Sequence, residues 1–147
     1  MTSLNKTFLP TVNSENRNWF IIDCKGQKLG RLVTFIIALL RGKIKPDYHS
    51  SVDIGGYIIL INADLIKINK NSKHFIVNNP GRPGHSLKIR NITDSTSKFT
   101  IEHAIKGMLP SSKLKCLIKR VNIYGGEKHP HLAQNPIKVD LNLKINY

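Results

Sequence analysis

The sequence predicts a single compact α/β domain: a small mixed or parallel sheet with helices packed around it, and an extended N-terminal arm. Three observations carry this. A buried apolar run, an amphipathic helical stretch and a second buried run follow one another in NWFIIDCKGQ, LGRLVTFIIALLRGK and YIILIN, the order of a right-handed βαβ unit with a parallel strand pair. The chain has 147 residues and is 40% apolar, enough for one core. Repeats, low-complexity tracts and signs of a second domain are absent.

Residues 1–17 are polar and without period, and are expected to form the arm; residues 18–147 are expected to form the domain. In NWFIIDCKGQ the apolar run ends at Lys25-Gly26, a strand and its turn. In the next segment Leu29, Leu32, Val33, Ile36, Ile37, Leu39 and Leu40 keep helical spacing, and Gly42 after Arg41 is placed to stop the helix. GKIKPDYHSSVDIGG reads as loop, and YIILIN as the second strand. LIKINKNSKHFIVNN reads as a hairpin turning at Asn69-Lys70-Asn71, followed by the Gly/Pro loop NPGRPGHS. Leu87 to Ser97 fits no template. FTIEHAIKGML returns to helical spacing and stops before Pro110; SKLKCLIKR reads as a short basic helix, VNIY as a strand, GGEKHPHLAQNP as a loop and IKVDL as a last extended piece.

Composition narrows the function. Lys and Arg number 23 against 9 acids, a formal charge of +14. A compact domain repels itself at that charge, and a polyanion relieves the repulsion, so nucleic acid is the expected partner. No apolar run reaches the length of a membrane span, and the basic helix lacks the bulky aromatics of a membrane-surface helix, so no membrane partner is expected. The opening residues do not read as a secretory or import peptide. Cys24 and Cys116 stand far apart without metal-ligand spacing and read as two reduced thiols.

Enzyme signatures are missing. The nucleotide-loop patterns are absent, and the two glycines of CKGQKLGR have the wrong spacing. His129 and His131 flank Pro130, but neither a third metal ligand nor a cleft for acid–base chemistry is evident. No cofactor, metal, catalytic residue or small-molecule substrate is expected. Basic residues instead cluster where phosphates can reach. RGKIKP offers Arg41, Lys43 and Lys45, and PGRPGHSLKIR offers Arg82, His85, Lys88 and Arg90 on a loop whose glycines admit close backbone approach. In SKLKCLIKR, α-helical spacing puts Lys113, Lys115, Lys119 and Arg120 on a cationic face, with Leu114, Leu117 and Ile118 toward the core. Without an aromatic strand for stacking, recognition of folded RNA by shape and backbone is expected.

Six ordered motifs, NWFIIDCKGQKLGRL, LLRGKIKPDY, VDIGGYIILINAD, GRPG, AIKGMLP and VNIYGGEKHPHLAQNP, span Asn18 to Pro136. Together they resemble the bacterial-type family of large-subunit ribosomal protein 13. The resemblance implies a compact α/β protein bound to large-subunit ribosomal RNA beside neighbouring ribosomal proteins. It also implies an early role in subunit assembly and no catalytic activity. It carries RNA-binding roles to Arg41, Lys43, Arg82, His85, Lys106, Tyr124, His129, His131 and Gln134. Three departures stand out: Gly56 where the family commonly has an acid, Asn78-Asn79-Pro80 before GRPG, and SSKLKCLIKR after MLP. Ile, Lys and Asn number 20, 17 and 14, the mark of an AT-rich genome. LNKTFLP and GRPG…LKIR look like plastid-encoded versions, so a ribosome of the plastid (chloroplast) stroma is expected first, an AT-rich bacterium second and a mitochondrion third.

Overall fold

The computed structural model describes residues 9–11, 17–68, 73–77, 81, 83–84, 87–91, 95–110 and 113–141, with 73–77, 87–91 and 113 described by backbone alone. The predicted βαβ unit is present. Strand β1 (Trp19–Asp23), helix α1 (Leu29–Leu40) and strand β2 (Tyr57–Ile61) follow in order, and β1 pairs with β2 in parallel from Trp19↔Tyr57 to Asp23↔Ile61. Helix α1 ends as its sequence implies. Gly42 takes φ +70°, its N–H bonds the Leu39 carbonyl at 3.0 Å, and the Lys43 N–H reaches back to the Ala38 carbonyl at 2.9 Å. The left-handed residue thus satisfies carbonyls that would otherwise be orphaned at the helix end.

Beyond β2 come β3 (Lys73–Val77), β4 (Leu87–Asn91), helix α2 (Ser97–Met108), a 3-10 helix (Lys113–Arg120), β5 (Val121–Ile123) and β6 (Ile137–Lys138). The main sheet has the order β5-β2-β1-β6, and every pairing in it is parallel. The expected mixed or parallel sheet is a four-stranded parallel sheet, with a separate antiparallel ribbon, β3–β4.

The hairpin predicted within residues 65–79 is corrected. Strand β3 pairs with β4, Lys73 opposite Asn91 and Val77 opposite Leu87, so the connection is the loop that contains GRPG. Residues 65–68 do not form its other arm. A 3-10 turn at Ala63–Leu65 leads to Lys67, whose N–H bonds the Gln27 carbonyl at 2.9 Å and whose carbonyl accepts from Leu29 at 3.3 Å. The Leu65 carbonyl likewise accepts from Gly26 at 3.0 Å, so this stretch is bonded to the entry of α1. The turn expected at Asn69-Lys70-Asn71 lies outside the described residues. The stretch that fitted no template supplies β4 and the cap of α2, where the Thr96 hydroxyl accepts from the Phe99 N–H at 3.4 Å.

Alternation along the strands gives the sheet two different faces. Phe20, Ile22, Ile58, Leu60 and Ile123 point to the helices and join Leu32, Val33, Ile36, Leu40, Ile101 and Ile105 in one buried cluster. Each such side chain fully removed from water contributes about 1.5–3 kcal/mol, which is what holds α1 and α2 on the sheet. Trp19, Ile21, Tyr57 and Ile59 occupy the opposite face. There the Trp19 and Tyr57 rings stack at 4.5 Å, and the His131 ring lies 5.3 Å from Trp19. Residues 124–136 run from β5 at one edge to β6 at the other and bring His131 over this second face.

Candidate nucleic-acid interface

The loop from Arg41 to Gly56, between α1 and β2, carries the first basic motif, and an acid fixes it. The Asp53 carboxylate accepts from both guanidinium ends of Arg120, Nη1 at 3.0 Å and Nη2, and from Arg17 Nη1 at 3.2 Å. Arg17 also donates to the Gly55 carbonyl at 3.2 Å. One carboxylate thereby joins the chain ahead of β1, the loop, and the end of the 3-10 helix. Partial burial pushes the Asp53 carboxyl up, but the hydrogen bond and charge of Arg120, and then the charge of Arg17, outweigh it and hold it below its ordinary value. Asp53 in turn raises Arg120, chiefly through the hydrogen bond.

A carboxylate depressed in the folded state stabilises the fold above its unfolded pKa, about 3.9, and that stabilisation disappears as pH falls through the folded value. Asp53→Asn is therefore expected to lower stability at neutral pH and to flatten its decline below about pH 5. The Asp53 side chain is 41% exposed. Water screens the pair, so the loss should be about 1 kcal/mol, below that of a fully buried pair. Thermal melts of both forms from neutral to acid pH provide the check; parallel pH profiles would show that Asp53 gains nothing from its arginines.

The basic residues expected to meet RNA divide by setting. Arg41 caps α1, and its Nη2 donates to the Tyr48 hydroxyl at 3.1 Å. Lys43 is exposed and Lys45 half-buried on the same loop. Lys115 and Lys119 are exposed on the 3-10 helix, Leu117 is buried beneath them, and Leu114 and Ile118 pack against the core, as expected. The outward placement expected for Arg120 is corrected. The segment has three residues per turn rather than 3.6, so Leu114, Leu117 and Arg120 share the inner edge, and Arg120 turns to Asp53 rather than outward. The Lys113 side chain is outside the described set. An open recess lies between loop and helix, lined by Arg41, residues 48–53, Leu114 and Leu117.

The remaining expected residues do not converge on that recess. Lys106 lies on α2, 3.9 Å from Glu102 one turn earlier. The Tyr124 hydroxyl and His131 Nε2 share a hydrogen bond of 2.8 Å. His131 is thus held by Tyr124 and Trp19, while Gln134 is exposed. His129 Nδ1 is buried and has no hydrogen-bond partner among the described residues. Lys88 and Arg90 stand at alternate positions of β4, opposite Ile76 and His74, with side chains that are not described; Arg82 and His85 lie outside the described residues. Sequence reasoning missed Arg17 and Asp53. The signal available was an acid set inside a basic loop of a chain with only 9 acids.

Among the described residues no three His, Cys, Asp or Glu side chains lie close enough to share a metal ion. Neither cysteine forms a disulfide. Burial, helped by the Asp23 charge, pushes the Cys24 thiol up to about 12, far from a nucleophile's range. No helix among the described residues is long and apolar enough to cross a membrane.

These features define a class: a small, strongly cationic α/β protein whose interior polar contacts brace loops and present basic side chains outward. The family model of ribosomal protein L13 matches residues 17–130. The large ribosomal subunit protein uL13c of Trieres chinensis is 46% identical over 138 residues, covering 93% of this chain and 98% of that protein. The uL13 proteins of Prochlorococcus marinus strain MIT 9303 and Synechococcus sp. strain RCC307 are 38% and 39% identical over 145 residues, each covering 95% of this chain and 96% of the relative. The chain belongs to the ribosomal protein L13 family. It is a structural, non-enzymatic protein of the large ribosomal subunit.

Proposed function

We propose that the chain binds large-subunit ribosomal RNA through its phosphate backbone, beside neighbouring ribosomal proteins, and helps the subunit assemble early. The observation that carries this is the excess of 23 basic over 9 acidic residues, with Lys43, Lys115 and Lys119 exposed on segments that Asp53 and the core hold in place. Cations on a braced backbone release counterions from RNA without the segment itself first having to be ordered. Arg41, Lys45, Lys106 and Gln134 extend the surface, as do Arg82, His85, Lys88, Arg90 and Lys113 beyond the described side chains. Tyr124 and His131, bonded to one another, shape residues 124–136 so that His129 and its neighbours meet the RNA. Residues 1–17 serve as an arm on the domain of residues 18–147.

The ribosome concerned is that of a plastid stroma. Support comes from the uL13c relative and from the bias toward Ile, Lys and Asn. A second reading, the cytoplasm of an AT-rich bacterium, is favoured by the cyanobacterial relatives, which match over 95% of the chain. The test is sedimentation of a plastid lysate at high magnesium. The chain should travel with the large subunit and leave it as salt is raised. Recovery in the light fractions alone would contradict the proposal, and recovery only from a bacterial lysate would favour the second reading.

A further inference from the structure

The recess beside Arg41 has a floor and a rim of different character. Val52, Leu114 and Leu117 supply apolar surface, and Leu117 is only 5% exposed. Tyr48 and His49, both half-buried, contribute flat rings to the lining, and Ser50 and Ser51 contribute hydroxyls. Two pairs of lining side chains are held in advance. Arg41 is tied to the Tyr48 hydroxyl at 3.1 Å, and His49 Nδ1 lies 2.7 Å from the Ser51 hydroxyl. A ligand entering here does not have to freeze them.

The chemistry of the lining selects the occupant. A phosphate is the poorer fit, because over Val52, Leu114 and Leu117 it gives up its water with only the Arg41 guanidinium, already bonded to Tyr48, to compensate. Asp53, the acid in the lining, is already paired with Arg120 and Arg17 and so does not decide between occupants. A planar heterocycle fits better. Its faces can lie on apolar and aromatic side chains while its edge meets hydroxyl and guanidinium groups, the way proteins read unpaired RNA bases. The two segments that wall the recess also carry Lys43 and Lys45 on one and Lys115 and Lys119 on the other.

The geometry points to an unpaired RNA base, turned out of its strand, seated in this recess with its flanking phosphates on the lysine rim. The inference rests on the RNA-binding reading and deepens it: the loop and 3-10 helix would hold one base as well as the backbone. An acidic peptide is the rival occupant. It suits the lysines but offers no uncharged plane for the floor.

Short-wave ultraviolet irradiation joins bases, not phosphates, to side chains they touch. Large subunits containing this chain are irradiated, digested with nuclease and protease, and read by mass spectrometry. The expected result is a nucleotide adduct on Tyr48 or His49, lost in subunits carrying Ser50→Trp, where an exposed serine becomes an indole that fills the recess. Adducts confined to other peptides of the chain, or none in a chain that still travels with the subunit, would overturn the inference and leave RNA binding standing. Failure to travel with the subunit at all would overturn the RNA-binding reading as well. A chemical cross-link from residues 41–53 to a neighbouring protein, without a nucleotide adduct, would identify the peptide as occupant. The native adduct map decides the matter even if the tryptophan variant does not fold.

Discussion

Gly55→Ala is expected to destabilise the domain by about 3 kcal/mol or more, the upper end for overpacking a tight site. The reason is where the chain leaves the 41–56 loop to enter β2. A Cβ on Gly55 would overlap the backbone carbonyl of Leu40, at the end of α1. A clash with a flexible side chain relaxes by a rotamer change; a clash with a carbonyl requires the helix end or the strand to move. Either shift disturbs Asp53, whose carboxylate accepts from the Gly55 N–H at 3.3 Å, and Arg17, which donates to the Gly55 carbonyl at 3.2 Å. At roughly 3 °C per kcal/mol for a domain of this size, the melting temperature should fall by about 10 °C. Gly26→Ala is the comparison. Gly26 has φ +70° but nothing within 4 Å of an added Cβ, so only the strained backbone of about 1 kcal/mol is at stake. Equal losses at the two positions would show that the α1–β2 junction is looser than its geometry.

The parts of the fold legible in the sequence are those whose cause is local. Strands β1 and β2 are apolar runs because neither face is left fully exposed, and α1 declares itself by its period and by Gly42. The β3–β4 pairing is not local: Leu65, Ile66 and Ile68 imitate a strand arm, but Lys67 is already bonded to the turn before α1. The 3-10 helix shows a subtler limit. An α-helical wheel and a three-residue period agree that Leu114 and Leu117 point inward, and disagree about Arg120. The partner that settles it, Asp53, is 67 residues away in the chain. The motif that contains Tyr124, His129 and His131 was visible as a motif. That its tyrosine and second histidine bond each other under Trp19 depends on the path of residues 124–136 between opposite sheet edges, which spacing does not encode.

Reversing two charges on the 3-10 helix should produce the largest change in RNA binding. Lys115 and Lys119 are exposed, carry no ion pair among the described residues, and stand on a segment pinned by Leu117 beneath and by Arg120 at its end. A phosphate contact by each releases close to one counterion, so losing both should reduce the slope of log affinity against log salt by about 2. Lys115→Glu with Lys119→Glu adds repulsion to that loss, and affinity for large-subunit RNA should fall by about a hundredfold at moderate salt. Stability should change by less than about 0.5 kcal/mol, because both positions are surface sites. Arg120→Ala separates the two roles that the basic sequence blends. It removes one positive charge but an inward one, so it should lower the melting temperature by leaving Asp53 with Arg17 as its remaining ion-pair partner, and leave the salt slope close to that of the wild type. Salt titrations of all three forms against the same RNA make the comparison. If Arg120→Ala flattened the slope as the lysine reversals do, Arg120 would be a phosphate ligand after all; if the lysine reversals left the slope unchanged, this helix would face solvent or a neighbouring protein, and the RNA contacts would lie elsewhere on the chain.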